Sequence, residues 1–173
     1  MPTTLEELEA QKKLLLAPLL EWTPARRSFR EEPAAWSATE VVCHLAKTEA
    51  TALGTARQNI AHPHPVEKQD RVNVRFLHRL FSTDRRVKVP EIASHVLPES
   101  DPDWDQVLTE WQRTRKELET FLSTTPEGLQ GGIFRHPSAG WMDLPSMLGF
   151  FAVHMQHHCF QLERIAAASS HIL

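Results

Sequence analysis

Leu144, Met147, Leu148, Phe151, His154, His158, Leu162 and Ile165 fall on one face of a single long helix. A stripe of that length needs a partner surface, so the chain is committed to burying this helix in a core. The same stripe carries two imidazoles inward, where an unsatisfied polar group is costly. Histidines at i and i+4 form a ready clamp for a metal ion. A third, His44, lies in another apolar helical pattern far back in the chain.

The remaining helices follow from the same periodicity. The first is expected from about Thr4 to Glu21, with Leu5, Leu8, Leu15, Leu16, Leu19 and Leu20 as its apolar face. Pro18 predicts a kink or an early end. The second begins at Ser37, where Ser37-Ala38-Thr39-Glu40 reads as a capping box, and runs to about Ile60, before the His62-Pro63-His64-Pro65 breaker. The third starts near Asp101-Pro102-Asp103-Trp104, with Val107, Leu108, Trp111, Leu118, Phe121 and Leu122 turned inward, and ends before Pro126. The fourth runs from Asp143 to about Ala167, fed by a connection containing Gly131, Gly132 and Gly140.

Between Pro63 and Pro98 the pattern is less regular. A short helix around Val72 to Phe81 and an extended Val87-Lys88-Val89-Pro90 segment are expected there. A connection of this length is a crossover, or a flap able to cover a site. Strand signals are otherwise poor. The expected fold is one domain over residues 1–173: an all-α four-helix bundle with a long crossover between the second and third helices.

At 173 residues the chain can bury a core without staples, and 41% hydrophobic and 24% charged residues suit a globular protein. A formal charge of −3 gives no reason to expect nucleic acid as a partner. The basic run of Arg71, Arg75, Arg79, Arg85, Arg86 and Lys88 reads as a solvated loop or short helix. Only two cysteines occur, Cys43 and Cys159, outside any CxxC, and they read as small buried hydrophobes of a protein in a reducing cytoplasm. No apolar run approaches the roughly 20 residues of a membrane helix, so no membrane partner is expected.

His44, His154 and His158 together would make a three-imidazole metal site in the bundle core, with a coordination position left open for water or substrate. Zinc suits such a set; nickel, iron and manganese are compatible with it. Spacing alone equally allows three core histidines bonded to carbonyls, carboxylates or water. His157 is turned away from the other two by helix geometry, and Gln156, inside the spacing, cannot serve as a general base. His136 precedes the fourth helix, where it could orient a ligand or simply shape the loop. Glu40, one turn before His44, could accept a hydrogen bond near the site or act as a base, although its capping role accounts for it as well. His62 and His64 read as loop residues, and His78, His95 and His171 have no partner spacing. There is no GxSxG, phosphate-binding loop or dinucleotide fingerprint.

Three blocks carry a family likeness: Trp36 through Ala46, ending around His44; His136-Pro137 through Gly140-Trp141; and Leu144 with His154-x-x-x-His158-x-x-Gln161. In their order and separation the chain resembles the DinB-like (damage-inducible) family of four-helix-bundle, metal-dependent enzymes, over nearly its whole length. The resemblance implies that His44, His154 and His158 are ligands to a divalent metal, zinc or nickel foremost, and that the protein is a homodimer. Some relatives are thiol-dependent S-transferases or isomerases that use bacillithiol, mycothiol or glutathione. Cys43 stands where some relatives carry a second histidine. The leading expectation is therefore a transferase acting with a low-molecular-weight thiol on a small-molecule substrate held under the crossover. A metal-dependent hydrolase is the alternative, as is a non-catalytic, stress-linked bundle with a closed site.

Overall fold

Helix caps decide where each element begins. In the computed structural model, which describes residues 3–172, Thr4 opens α1 (Leu5–Leu20) with a capping box: its hydroxyl accepts from Glu7 N–H, and the Glu7 carboxylate accepts from Thr4 N–H at 2.8 Å. Ser37 and Glu40 do the same for α3 (Ala38–Asn59), as the sequence predicts. Asp103 caps α5 (Trp104–Thr124) through Gln106 N–H, and Asp143 caps α6 (Leu144–Ala168) through Ser146 N–H, with Pro145 tolerated in the first turn. α1, α3, α5 and α6 are the expected long helices. α3 packs on α5 and α6, and α1 packs on α6.

The apolar faces bury largely as read. Met147, Leu148, Phe151, Leu162 and Ile165 of α6 are buried, as are Val107, Trp111, Leu118 and Phe121 of α5. Each such side chain contributes roughly 1.5–3 kcal/mol against exposure. On α1 the face is corrected at two positions. Leu20 lies at the helix end and is exposed, while Lys12 fills the gap between Leu8 and Leu15 with its ammonium over the Trp111 ring. Pro18 does not stop the helix at once, and α1 runs on to Leu20. Pro18 is on the solvent side, where water can take the carbonyl it leaves without a partner.

The bundle also buries a charged knot. Glu49 of α3 accepts from Arg115 Nε and Nη2 of α5, each at 2.7 Å, and from Trp111 Nε1 at 2.8 Å. The bidentate geometry saturates the carboxylate in a place water does not reach.

Four features depart from the sequence reading. A one-turn helix α2 (Pro24–Arg27) follows α1, and a 3-10 turn (Glu91–Val96) closes the crossover. The crossover helix α4 (Lys68–Phe81) starts four residues earlier than expected, its first turn tied by Glu67 N–H to the Asp70 carboxylate. A small antiparallel hairpin, β1 (Phe134–His136) with β2 (Gly140–Met142), precedes α6. Its turn needs Gly140, whose φ of +80° suits glycine and whose missing Cβ leaves room for the Asp70 carboxylate. Gly132 extends the ladder to His64, tying the start of the crossover to the hairpin. Among the described residues no helix is long and apolar enough to cross a membrane.

Candidate metal centre

α3 and α6 face each other, and the capping box at Ser37 fixes the start from which His44 is counted. About two turns later the His44 side chain meets those of His154 and His158. All three are buried, and their candidate ligand atoms lie within 4.8 Å of one another. His154 Nε2 is 3.2 Å from His44 Nε2 and 3.1 Å from His158 Nε2. Adjacent ligands of a tetrahedral ion with bonds of about 2.05 Å would stand about 3.3 Å apart.

Hydrogen bonds on the far side of two rings set their tautomers. His44 Nδ1–H donates to the Val96 carbonyl at 2.8 Å, and His158 Nδ1–H donates to Gln161 Oε1 at 2.9 Å. Both rings therefore present a bare Nε2 lone pair to His154. One proton on His154 Nε2 can satisfy only one of those two acceptors at a time. The remaining lone pair is a buried acceptor without a donor, a costly arrangement. A cation between the three nitrogens removes the conflict, so the donor set fits a divalent metal.

Burial pushes His44 down to about 4, against the raising effect of the Val96 carbonyl. Burial also holds His154 and His158 well below the ordinary histidine value, reinforced by neighbouring imidazoles. All three are neutral at pH 7, the form a metal requires. Aromatic rings hold them in place: Trp36 packs on His44 at 4.9 Å, and Phe150 and Phe81 stack on His154 at 5.2 and 5.5 Å.

Above the triad lies a cavity of about 750 Å³. α4 supplies Phe76, Leu77 and Phe81, α3 supplies Thr48, Thr51 and Thr55, and the crossover from Arg85 to Leu97 covers the top. This is the flap that the length of the crossover suggests. The volume is in the range of small-molecule sites.

The other candidates divide. His136 lines the cavity, and its Nδ1 accepts from Ser138 N–H at 3.2 Å, which leaves its proton on Nε2. Burial pushes it down to about 4, so at neutral pH it is a hydrogen-bond donor. Glu40 is committed elsewhere: one oxygen takes Ser37 N–H, the other pairs with Arg30 at 2.7 Å, and the residue does not line the cavity. His157 lies outside the triad, donating Nδ1–H to the Thr83 carbonyl and stacking on Phe81, yet it lines the cavity. His64 stacks on Trp141 at 3.8 Å, away from the site. Cys43 and Cys159 are free thiols that burial pushes up, in keeping with inert packing.

Sequence reasoning gave no role to Val96, Phe81, Gln161 or the cations of the crossover. Gln161, one turn after His158, was visible as a spacing. A backbone carbonyl such as that of Val96 leaves no sequence signal. A family model described as the DinB superfamily matches residues 7–162 of the chain. No curated protein and no solved structure matches it.

Proposed function

The chain belongs to the DinB superfamily, and from that footing we propose that it is a metal-dependent enzyme centred on His44, His154 and His158. One observation carries the reading: three converging Nε2 atoms form the floor of a cavity of about 750 Å³, with no fourth protein ligand grouped with them among the described residues. A structural metal site is closed by its protein ligands, whereas a catalytic one keeps a position for a reactant. A closed ceiling is what a purely structural bundle would need, and the cavity speaks against it.

Zinc or nickel is the proposed ion, and when bound it would lower the pKa of a thiol or water that it touches. The reaction we favour is S-transfer from a low-molecular-weight thiol. The sulfur forms a bond to an electrophilic carbon, the thiol proton leaves, and the leaving group departs. The chain's own residues prepare that step. Val96 and Gln161 fix the tautomers of His44 and His158, so the lone pairs face one point. Phe81, Phe150 and Trp36 exclude water around the rings, and His136 offers its Nε2–H to a reactant in the cavity. His157, whose Nδ1–H is engaged by Thr83, keeps an Nε2 lone pair able to take the proton. A homodimer in the cytoplasm, built from one domain per chain, completes the proposal.

Elemental mass spectrometry of the untagged protein, beside a His44→Ala/His154→Ala/His158→Ala variant, tests the centre. Near-stoichiometric metal lost in the variant is expected. A wild type that takes up neither zinc nor nickel on reconstitution would overturn the reading. Loaded protein is then assayed with bacillithiol, mycothiol and glutathione against an electrophile. Hydrolysis without thiol would move the assignment to a hydrolase, and sedimentation tests the dimer.

A further inference from the structure

The cavity is more basic than the molecule around it. The chain has a formal charge of −3, yet Arg85, Arg86, Lys88, Arg135 and Arg164 border the cavity against Glu31 and Asp84 alone. None of those five cations takes part in an ion pair among the described residues, although other arginines and a lysine do. A cluster of unpaired like charges around a concave, partly apolar site focuses the field on whatever enters.

Arg164 is the most telling of the five. It follows His157 by seven residues and Gln161 by three on α6, and all three line the cavity. Among the described residues its one hydrogen-bond partner is the Phe160 carbonyl, reached from Nη1 at 3.3 Å, and its Nε is buried with none. Gln161 adds further donors beside it. Its Oε1 is taken by His158, and its amide hydrogens have no protein acceptor among the described residues. A guanidinium partly withdrawn from water and lacking a carboxylate is costly unless a ligand supplies the anion.

We propose that the reactant taken by this cavity carries an anionic group, a carboxylate or a phosphate, held by the Arg164 guanidinium and the Gln161 amide beside the histidine triad, with Arg85, Arg86 and Lys88 drawing it in. The inference names the substrate class of the site proposed above and rests on that reading for its catalytic meaning. The anion contact itself involves the chain's own donors and does not need the metal.

Calorimetric titration with succinate, inorganic phosphate and neutral succinamide tests it, on metal-loaded protein and on the same protein after chelation, with metal content measured on every sample. Saturable binding of at least one anion in both samples is expected, with none for succinamide. Preference for succinate assigns a carboxylate, and preference for phosphate assigns a phosphate. Arg164→Gln should weaken binding about ten- to hundredfold, the loss of a charge-assisted contact, with metal content unchanged. An Arg85→Gln/Arg86→Gln/Lys88→Gln variant on the exposed rim keeps the test independent of folding, and it should bind more weakly with a flatter salt dependence. Succinamide binding as well as succinate, no saturable anion binding, or anion binding only where metal is present would each overturn the proposal. Metal present without anion binding removes this inference alone, and anion binding without metal uptake removes the metal reading alone.

Discussion

The carbonyl of Val96 accepts the Nδ1–H of His44 at 2.8 Å, so a residue 52 positions downstream decides which nitrogen His44 offers to the triad. Gln161 does the same for His158 from within α6. The centre is therefore oriented by two acceptors from different elements, one main-chain and one side-chain.

Gln161→Leu removes one of them without changing helix propensity much. Metal affinity, read by competition with a chromophoric chelator, should fall about ten- to hundredfold. Gln161→Glu keeps the acceptor and should retain most of the affinity. Equal affinity in the leucine variant and the wild type would show that the acceptor plays no part.

Acid should destabilise the metal-free protein through its buried imidazoles. His44 stands at about 4 in the folded chain against an ordinary 6.5, chiefly from burial. Between those values the unfolded chain binds the proton that the folded chain refuses, so stability falls as pH falls. The contribution is whole above pH 6.5 and gone below about 4, on the order of 3 kcal/mol for His44 alone. His154 and His158 shift in the same direction. Urea midpoints at pH 7.5, 6.5 and 5.5 on chelated protein read the slope, and His44→Gln should flatten it. A wild-type midpoint constant across that window contradicts the prediction.

Glu49→Ala strips the Arg115 guanidinium, which is 2% exposed, of its bidentate partner and strands it in the bundle interior with Glu9, at 3.4 Å, as its remaining carboxylate. The cost should be about 3–5 kcal/mol in denaturant unfolding. Replacing both partners with apolar residues, Glu49→Leu with Arg115→Met, should recover most of that loss. If the double variant is as unstable as the single one, stranded charge is not the cause.

Gly140→Ala should cost about 2 kcal/mol, because an L side chain is strained at φ +80° and its Cβ would run into the Asp70 carboxylate. Thermal unfolding measures it. A neutral effect would mean that the hairpin turn relaxes freely.

Long elements with strong periodicity were legible from residues alone. The α6 stripe announced both its helix and two of the triad histidines, since a spacing of four is a statement about one face. His44 was legible as an inward position on α3 because Ser37 and Glu40 mark where that helix starts. The hairpin was not legible: strands of three residues are too short for alternation, and Gly140 reads only as a breaker. The helix α2 was not legible either, because a single turn carries no apolar face to read. α4 was read late because its first turn is tied by carboxylates at Glu67 and Asp70 instead of the usual hydroxyl. Arg164 carries no signal in the sequence, and only the folded cavity reveals that it has no carboxylate partner among the described residues.

Two of the triad histidines are neighbours on α6, while the third is 110 residues away on α3. An ion gripping all three would close that length of chain into a ring, as a disulfide does, and a covalent ring of about 100 residues is worth up to about 4.7 kcal/mol through the lost freedom of the unfolded chain. A chain whose two cysteines are both unpaired would thus obtain its one long-range cross-link from coordination chemistry, and that staple could be removed by a chelator where a reductant would do nothing.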